Sequence, residues 1–75
     1  MIYFFGEKVR LRELRKARGL SQVKLAMDLN ISQNTLSRYE NREREAGYDT
    51  LIKIADYFDV SIDYLLGRTD EPNGK

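Results

Sequence analysis

Five hydrogen-bonding side chains share one face of the helix predicted to follow Ser32. At about 100° per residue they fall within roughly 140° of one another, whereas Leu36 and Tyr39 fall on the opposite side. The residues of this polar face are Gln33, Asn34, Ser37, Arg38 and Asn41. Asn and Gln can pair with adenine, and Arg with guanine, so such a face could read base edges in a major groove. An ordinary solvated helix face is the alternative, but such faces are usually rich in Glu and Lys, and this one contains neither.

The chain offers little for catalysis or metal binding. Its 75 residues include no Cys and no His, which removes thiolate ligands, disulfides and the commonest general base. Asp56, Asp59 and Asp63 form an acidic region, but carboxylates in this arrangement are typical of a solvated helix face. No nucleophile–base pair or phosphate-binding glycine loop accompanies them. We therefore predict no catalytic residue, no metal site, no cofactor and no enzymatic activity.

Charge is distributed unevenly along the chain. The net charge is only +1, yet residues 1–24 carry seven basic and two acidic side chains, net +5. Residues 25–47 carry three and four, net −1, and residues 48–75 carry three and six, net −3. This asymmetry fits a polyanionic partner and also fits an ordinary dipolar surface. The longest apolar run, residues 2–5, is too short to cross a bilayer, so we expect a cytoplasmic protein without membrane association.

Start and stop signals predict five helices and an all-α fold. Ser21, Ser32 and Ser61 each follow an apolar residue and precede a Leu by four positions, the pattern of an N-cap with a hydrophobic staple. Gly or Asn in the left-handed region would end three of the helices. The first predicted helix covers 7–17 and ends before Gly19. The second begins at Ser21 and ends at Asn30, and the third begins at Ser32. The fourth covers 48–58 with Gly47 as its N-cap, and the fifth begins at Ser61 and ends at Gly67.

The second and third helices are separated by a very short turn. Two short helices with a tight turn form a helix-turn-helix, whose second helix enters the major groove when it binds DNA. We divide the chain into an apolar N-terminal arm at 1–6, a helical domain at 7–67 and a polar, flexible tail at 68–75. The arm either covers the first helix or pairs with a second subunit.

Three segments resemble a known family when taken in order and with their spacing. They are LRELRKARGLSQVKLA, LNISQNTLSRYEN and LIKIADYFDVSIDYLLG, and they resemble the phage Cro/repressor-like, or xenobiotic-response-element type, helix-turn-helix domain. The resemblance implies a compact five-helix, lambda-repressor-like domain that binds double-stranded operator DNA, usually as a dimer. The chain departs from the family pattern at Asn30, where the turn usually has Gly, and at Ala46, where Pro is common.

The resemblance also implies roles for individual residues. Residues expected to contact bases are Gln33, Asn34, Ser37 and Arg38. Residues expected to contact the DNA backbone are Ser21, Gln22 and Asn41, together with Arg42 and Arg44 in the loop REREAGYD, where Glu43 and Glu45 alternate with them. A buried ion pair between the first and third helices is expected from Arg15 and Glu40.

The sequence predicts a sequence-specific transcriptional regulator that acts as a repressor. The alternative is an antitoxin-like module that binds a protein partner and uses DNA binding only to regulate itself. A homodimer on DNA is expected because one recognition helix covers only a half-site. Candidate dimer contacts are Tyr3, Phe4 and Phe5 in the arm and Tyr64 in the fifth helix. No small-molecule ligand is expected.

Overall fold

Five helices make up the described part of the chain, residues 10–73 of the computed structural model. They are α1 (Leu11–Ala17), α2 (Gln22–Leu29), α3 (Gln33–Glu40), α4 (Tyr48–Phe58) and α5 (Ile62–Leu65). The predicted all-α fold, with α2 and α3 forming the helix-turn-helix, is confirmed. Within residues 10–73, no helix has the length and apolar content needed to cross a membrane.

Three helices begin with the same serine cap. The side-chain oxygens of Ser21, Ser32 and Ser61 each accept a hydrogen bond, 3.0 Å long, from the backbone N–H three residues later. Gly47 is the N-cap of α4 and has no side chain to contribute. The repeated apolar-Ser-x-x-x-Leu pattern is therefore helix-start chemistry, as predicted.

Five described residues have a left-handed backbone. Gly19, Asn30 and Gly67, with φ of 69°, 61° and 79°, lie where the sequence predicts a helix to end. Arg42 and Asp59, with φ of 61° and 58°, were not predicted. Both follow a helix closely, where the chain must turn, but neither is one of the residue types, Gly and Asn, on which the prediction relied.

The start of α1 differs from the prediction at Arg10. The backbone N–H of Arg10 donates to the Leu65 carbonyl at 2.8 Å, and Nε donates to the Tyr64 carbonyl at 2.9 Å. Arg10 is consequently tied to α5 and is not helical, so α1 begins at Leu11. The remaining predicted positions of this helix, 7–9, lie outside the described residues, as does the arm 1–6.

All five helices contribute to one hydrophobic core. Its buried members are Leu11, Leu25, Ala26, Leu29, Leu36, Tyr39, Ile54, Phe58 and Leu65. Polar contacts at the edge of the core fix α4 against α2: Lys53 Nζ donates to the Leu29 carbonyl at 2.7 Å, and the Tyr57 hydroxyl donates to Asp28 at 2.6 Å. The core and these contacts fix the position of α2, and α3 packs against α2.

Residues 68–73 contact the domain instead of extending from it. The Ser61 N–H donates to the Pro72 carbonyl at 2.7 Å, and Arg10 Nη2 donates to Asp70 at 2.7 Å and to the Thr69 carbonyl at 3.2 Å. The flexibility that the sequence predicts for the tail at 68–75 stays a prediction. The contacts themselves were not predictable, because Arg10 is 60 positions away from Asp70 and local composition gives no sign of the pairing.

Candidate nucleic-acid interface

The outer face of α3 carries the four residues predicted to contact bases. Gln33, Asn34 and Arg38 are exposed and Ser37 is partly buried. The opposite face of α3 enters the core through Leu36, Tyr39 and Glu40. α3 is therefore amphipathic, as the sequence predicts. Its amide and guanidinium groups face solvent, and its opposite face is packed in the core.

Glu40, the last residue of α3, has a fully buried side chain. Arg15 of α1 binds its carboxylate through two hydrogen bonds, from Nε to Oε2 at 2.7 Å and from Nη2 to Oε1 at 3.1 Å. Gln22 of α2 donates to Oε1 at 3.0 Å, and Arg12 approaches the same oxygen with Nε at 3.4 Å. The ion pair implied by the resemblance is thus present, inside a larger group of four side chains, which we call the Glu40 cluster: Arg12, Arg15, Gln22 and Glu40.

The Glu40 cluster keeps its carboxylate ionised. Burial alone would raise the pKa of Glu40, but hydrogen bonds from the two guanidinium groups and the Gln22 amide, with the charge of Arg15, hold that pKa below its ordinary value of 4.5. Among the described residues, every buried side-chain nitrogen and oxygen has a hydrogen-bond partner. The cluster therefore satisfies the condition under which a buried charge is tolerated.

Gln22 links the Glu40 cluster to the outer face of α3. Its amide nitrogen donates to Glu40, and its amide oxygen accepts from Gln33 Nε2 at 3.4 Å. The sequence predicts Gln22 as a phosphate contact; the structure places it between the buried carboxylate and a residue predicted to contact bases. A consequence is that the Gln33 side chain is oriented from α2 as well as by its own helix.

The other residues predicted to contact the DNA backbone lie at the start of α2 and just after α3. Ser21 is exposed, but its hydroxyl oxygen already caps α2. Asn41, the C-cap of α3, accepts from Arg12 Nη2 and donates weakly to Ser37 Oγ at 3.5 Å. Arg42 and Arg44 are exposed in the loop that follows α3. All four positions adjoin the α2–α3 unit, although only the loop arginines carry a charge.

Arg42 and Arg44 also line an open cavity of about 650 Å³. Half of its lining residues are aliphatic, among them Leu51 and Leu65, and its charged lining residues are Arg42, Arg44, Glu45 and Arg68. None of the residues predicted to contact bases lines it, so the cavity and the outer face of α3 are different surfaces.

The candidate dimer contacts are only partly described. Tyr3, Phe4 and Phe5 lie outside the described residues. Tyr64 is partly buried, and the guanidinium of Arg10 lies 4.2 Å from the centre of its ring, so this ring is already covered on one side. The exposed large apolar side chains of the described part are elsewhere: Val23 and Met27 on α2, and Tyr48 and Ile52 on α4.

Arg12 is a site residue that the sequence alone does not indicate. It is one of several cations along α1, and a local pattern does not distinguish it from the others. The usable signal is its spacing: Arg12 precedes Arg15 by three positions, which places both on one face of a helix. Once Arg15 is paired with Glu40, that spacing brings Arg12 to the same carboxylate.

The five-helix fold and the polar face of α3 are those of a helix-turn-helix protein. A helix-turn-helix family model matches residues 11–65, a range that includes all five helices, and the chain belongs to that family. The family membership inferred from the three sequence segments is confirmed.

Similar proteins are named as transcriptional regulators. ImmR, an HTH-type transcriptional regulator of Bacillus subtilis, is 44% identical over 61 residues, which are 81% of this chain and 48% of ImmR. The cryptic phage CTXphi transcriptional repressor RstR of Vibrio cholerae is 41% identical over 66 residues, 85% of this chain and 59% of RstR. AnsR, another HTH-type regulator of B. subtilis, is 41% identical over 59 residues, 79% of this chain and 51% of AnsR.

These relatives are longer proteins. The chain spans about half the length of the curated relatives it matches. Their names support the prediction of a protein that is not an enzyme, and they give no support to the antitoxin-like alternative. No solved structure matches the chain.

Proposed function

We propose that this chain is the sequence-specific double-stranded DNA-binding module of a transcriptional repressor and that α3 enters the major groove. The observation that carries the proposal is the outer face of α3, where exposed Gln33, Asn34 and Arg38 present amide and guanidinium groups on a helix anchored by buried Glu40. Bidentate pairs of Asn or Gln with adenine, and of Arg with guanine, are the commonest means of reading base pairs from this groove.

The proposal assigns two kinds of contact. Gln33, Asn34, Ser37 and Arg38 read base edges, with Gln33 held in place by Gln22 at 3.4 Å. A second group contacts the phosphate backbone through side chains or backbone N–H groups. Its members are Ser21, Gln22, Asn41, Arg42 and Arg44. Phosphate contacts set the position of the protein on DNA, and base contacts supply the preference for one sequence.

Repression follows from where such a module binds. A protein that occupies an operator prevents other proteins from using the same DNA, and one relative, RstR, is itself named a repressor. Two copies are proposed to bind one operator, each on a half-site. The proposed site of action is the cytoplasm of a prokaryotic cell, with the protein encoded by that cell or by a phage, and the protein lies on the nucleoid when it is bound.

Selection of bound duplexes from a random library tests this function. Wild-type protein is expected to enrich one motif, whereas a Gln33→Ala/Asn34→Ala double variant is expected to lose enrichment at the base pairs that those residues contact. Met27→Ala serves as a control because Met27 is exposed on α2 and is not part of the polar face of α3, and it is expected to return the wild-type motif. Failure of the wild-type protein to enrich any motif would refute sequence-specific binding.

A further inference from the structure

The Glu40 cluster carries one more positive charge than its carboxylate can neutralise. Arg12 and Arg15 are cationic, Glu40 is anionic and Gln22 is neutral, so the cluster has a net charge of +1. Arg15 makes the two-bond pair and its side chain is only 11% exposed. Arg12 makes the longer contact, 3.4 Å, and its side chain is 47% exposed. The unneutralised charge therefore resides on Arg12 and faces water.

Contacts with Glu40 and Asn41 hold the guanidinium of Arg12 beside the end of α3. Its Nε donates to Glu40 and its Nη2 donates to Asn41, which in turn contacts Ser37. These contacts use two of the five N–H groups of a guanidinium. The remaining three belong to an exposed group whose orientation is already set from two sides. Ordering this long side chain therefore costs less conformational entropy at the moment of binding than it would for an unrestrained arginine.

We propose that Arg12 of α1 binds a phosphate of the DNA backbone next to the end of α3. This inference rests on the proposed function and adds α1 to the surface that contacts DNA. A guanidinium suits the role because its planar fork matches phosphate oxygens, and Arg12 keeps donors available after contacting Glu40 and Asn41. Arg12 is a positioning residue: it neutralises a phosphate and contributes no preference among base pairs.

The salt dependence of binding separates this role from a purely structural one. We would titrate the wild-type chain and its Arg12→Gln variant with a random-sequence duplex of about two helical turns, between about 50 and 200 mM salt. Loss of one phosphate contact is expected to lower the slope of log affinity against log salt by about 0.9 per bound chain. Thermal unfolding, recorded under the same conditions, identifies any variant that is not folded.

Arg18→Gln is the matched control. Arg18 is the C-cap of α1 and, like Arg12, carries one positive charge. Its guanidinium, however, donates to the carbonyls of Tyr57 and Phe58 and lies 5.1 Å from the Phe58 ring centre. It is thus engaged with α4, and its removal is expected to leave the slope unchanged. Arg12→Lys, which keeps the charge, is expected to retain the wild-type slope.

The outcomes distinguish failure of the inference from failure of the proposed function. Equal slopes for wild type and Arg12→Gln would overturn the phosphate contact, even if the variant were less stable. An equal loss of slope in Arg18→Gln would also overturn it, because the effect would then come from overall charge. A changed selected motif for Arg12→Gln would contradict a role limited to the backbone. Wild-type protein without salt-dependent affinity for duplex DNA would instead refute the proposed function and, with it, this contact.

Discussion

The carboxylate of Glu40 joins three helices through polar contacts. Arg15 reaches it from α1, Gln22 reaches it from α2, and Glu40 itself ends α3. A buried charge with all its partners contributes little net stability compared with an apolar core, but removing one partner leaves the other charge uncompensated. At the scale of single residues, the cluster therefore determines how α3 is oriented more than how stable the domain is.

Glu40→Ala is expected to lower the free energy of unfolding by about 3–5 kcal/mol near neutral pH, because Arg15 would be left unpaired at 11% exposure. The pKa of Glu40 is lower in the folded protein than its ordinary value of 4.5. Its contribution is therefore fully present above the unfolded value and disappears as pH falls through the lower folded value. Urea unfolding of both proteins at several pH values measures the difference, which should shrink only below about pH 4.5.

Glu13→Ala provides the comparison for Glu40. Glu13 also pairs with an arginine, Arg10, but at 3.8 Å and with a 69% exposed side chain. Its removal is expected to change the free energy of unfolding by less than about 1 kcal/mol. A loss for Glu40→Ala no larger than that for Glu13→Ala would show that the buried pair does not hold α1 to α3.

Arg38→Ala is expected to weaken binding to the selected site by about 1–3 kcal/mol and to relax preference at one base pair. The physical reason is the loss of a guanidinium whose two parallel donors match a guanine edge. Lys24→Ala removes the same charge from α2, where Lys24 pairs with Asp28 at 3.2 Å, and should leave base preference intact. If Arg38→Ala weakened all sequences by the same factor, Arg38 would be a backbone contact.

At the scale of elements, helix boundaries were predictable where the signal is local. The signals that define these helix ends lie within four residues of them. They are the Ser caps and the left-handed residues Gly19, Asn30 and Gly67. Arg42 and Asp59 adopt the same backbone, which Arg rarely does and Asp does less often than Gly. Both ends are closed by local backbone bonds, from the Glu43 N–H to the Arg38 carbonyl at 2.8 Å and from the Val60 N–H to the Ala55 carbonyl at 2.9 Å, so only the residue types hid them from prediction.

Some residues of the candidate site were predictable from local sequence, and others were not. The polar face of α3 follows from helical periodicity alone, so its members were predictable. The link from Gln22 to Gln33, the place of Arg12 and the non-helical backbone of Arg10 just before α1 depend on contacts between helices. Those contacts become visible only when the helices are packed, because the partners are between 11 and 55 positions apart.

The cap of α3 provides a test at this scale. Ser32→Ala removes the acceptor for the Thr35 N–H and is expected to reduce the free energy of unfolding by about 1 kcal/mol. It should also weaken DNA binding, because the residues at the start of α3 lose their anchor. Ser32→Thr keeps an oxygen acceptor and should preserve most of the stability. Chemical denaturation and affinity measurements check both effects.

Ser61→Ala separates loss of stability from loss of recognition. Ser61 caps α5 with the same 3.0 Å bond, far along the chain from α3. It is expected to destabilise the domain by a similar amount and to leave DNA affinity unchanged wherever the protein is folded. Equal losses of affinity in the two variants would mean that stability alone, and not the start of α3, limits binding.

At the scale of the whole molecule, positive charge is concentrated in the first third of the chain. Residues 1–24 carry a net charge of +5, whereas residues 48–75 carry −3. All of α1 and the start of α2 belong to the first group, and α4, α5 and the following segment belong to the second. The two groups are in contact in the fold, since Arg10 binds Asp70 at 2.7 Å and Arg18 donates to the Phe58 carbonyl at 3.1 Å. The attraction of a polyanion therefore depends on the local surface charge and not on position along the chain.

The length of α3 supports the proposal that two copies bind one operator. Its eight residues span about 12 Å along the helix axis, enough to contact only a few base pairs. Two inverted half-sites with centres about 10 base pairs apart would place two chains on the same side of the duplex. We expect such a duplex to bind two chains and to bind them more tightly than a duplex with one half-site.

Changing the half-site spacing tests this geometry without altering the protein. Increasing the separation by about half a helical turn moves the second chain to the opposite side of the DNA, where contact between the two chains is lost. Sedimentation of the complexes should still find two chains per duplex, but the titration should lose its cooperativity and match that of two isolated half-sites. A cooperative titration at both spacings would contradict contact between chains across a two-fold operator. A single bound chain at both spacings would instead show that α3 recognises its site as a monomer.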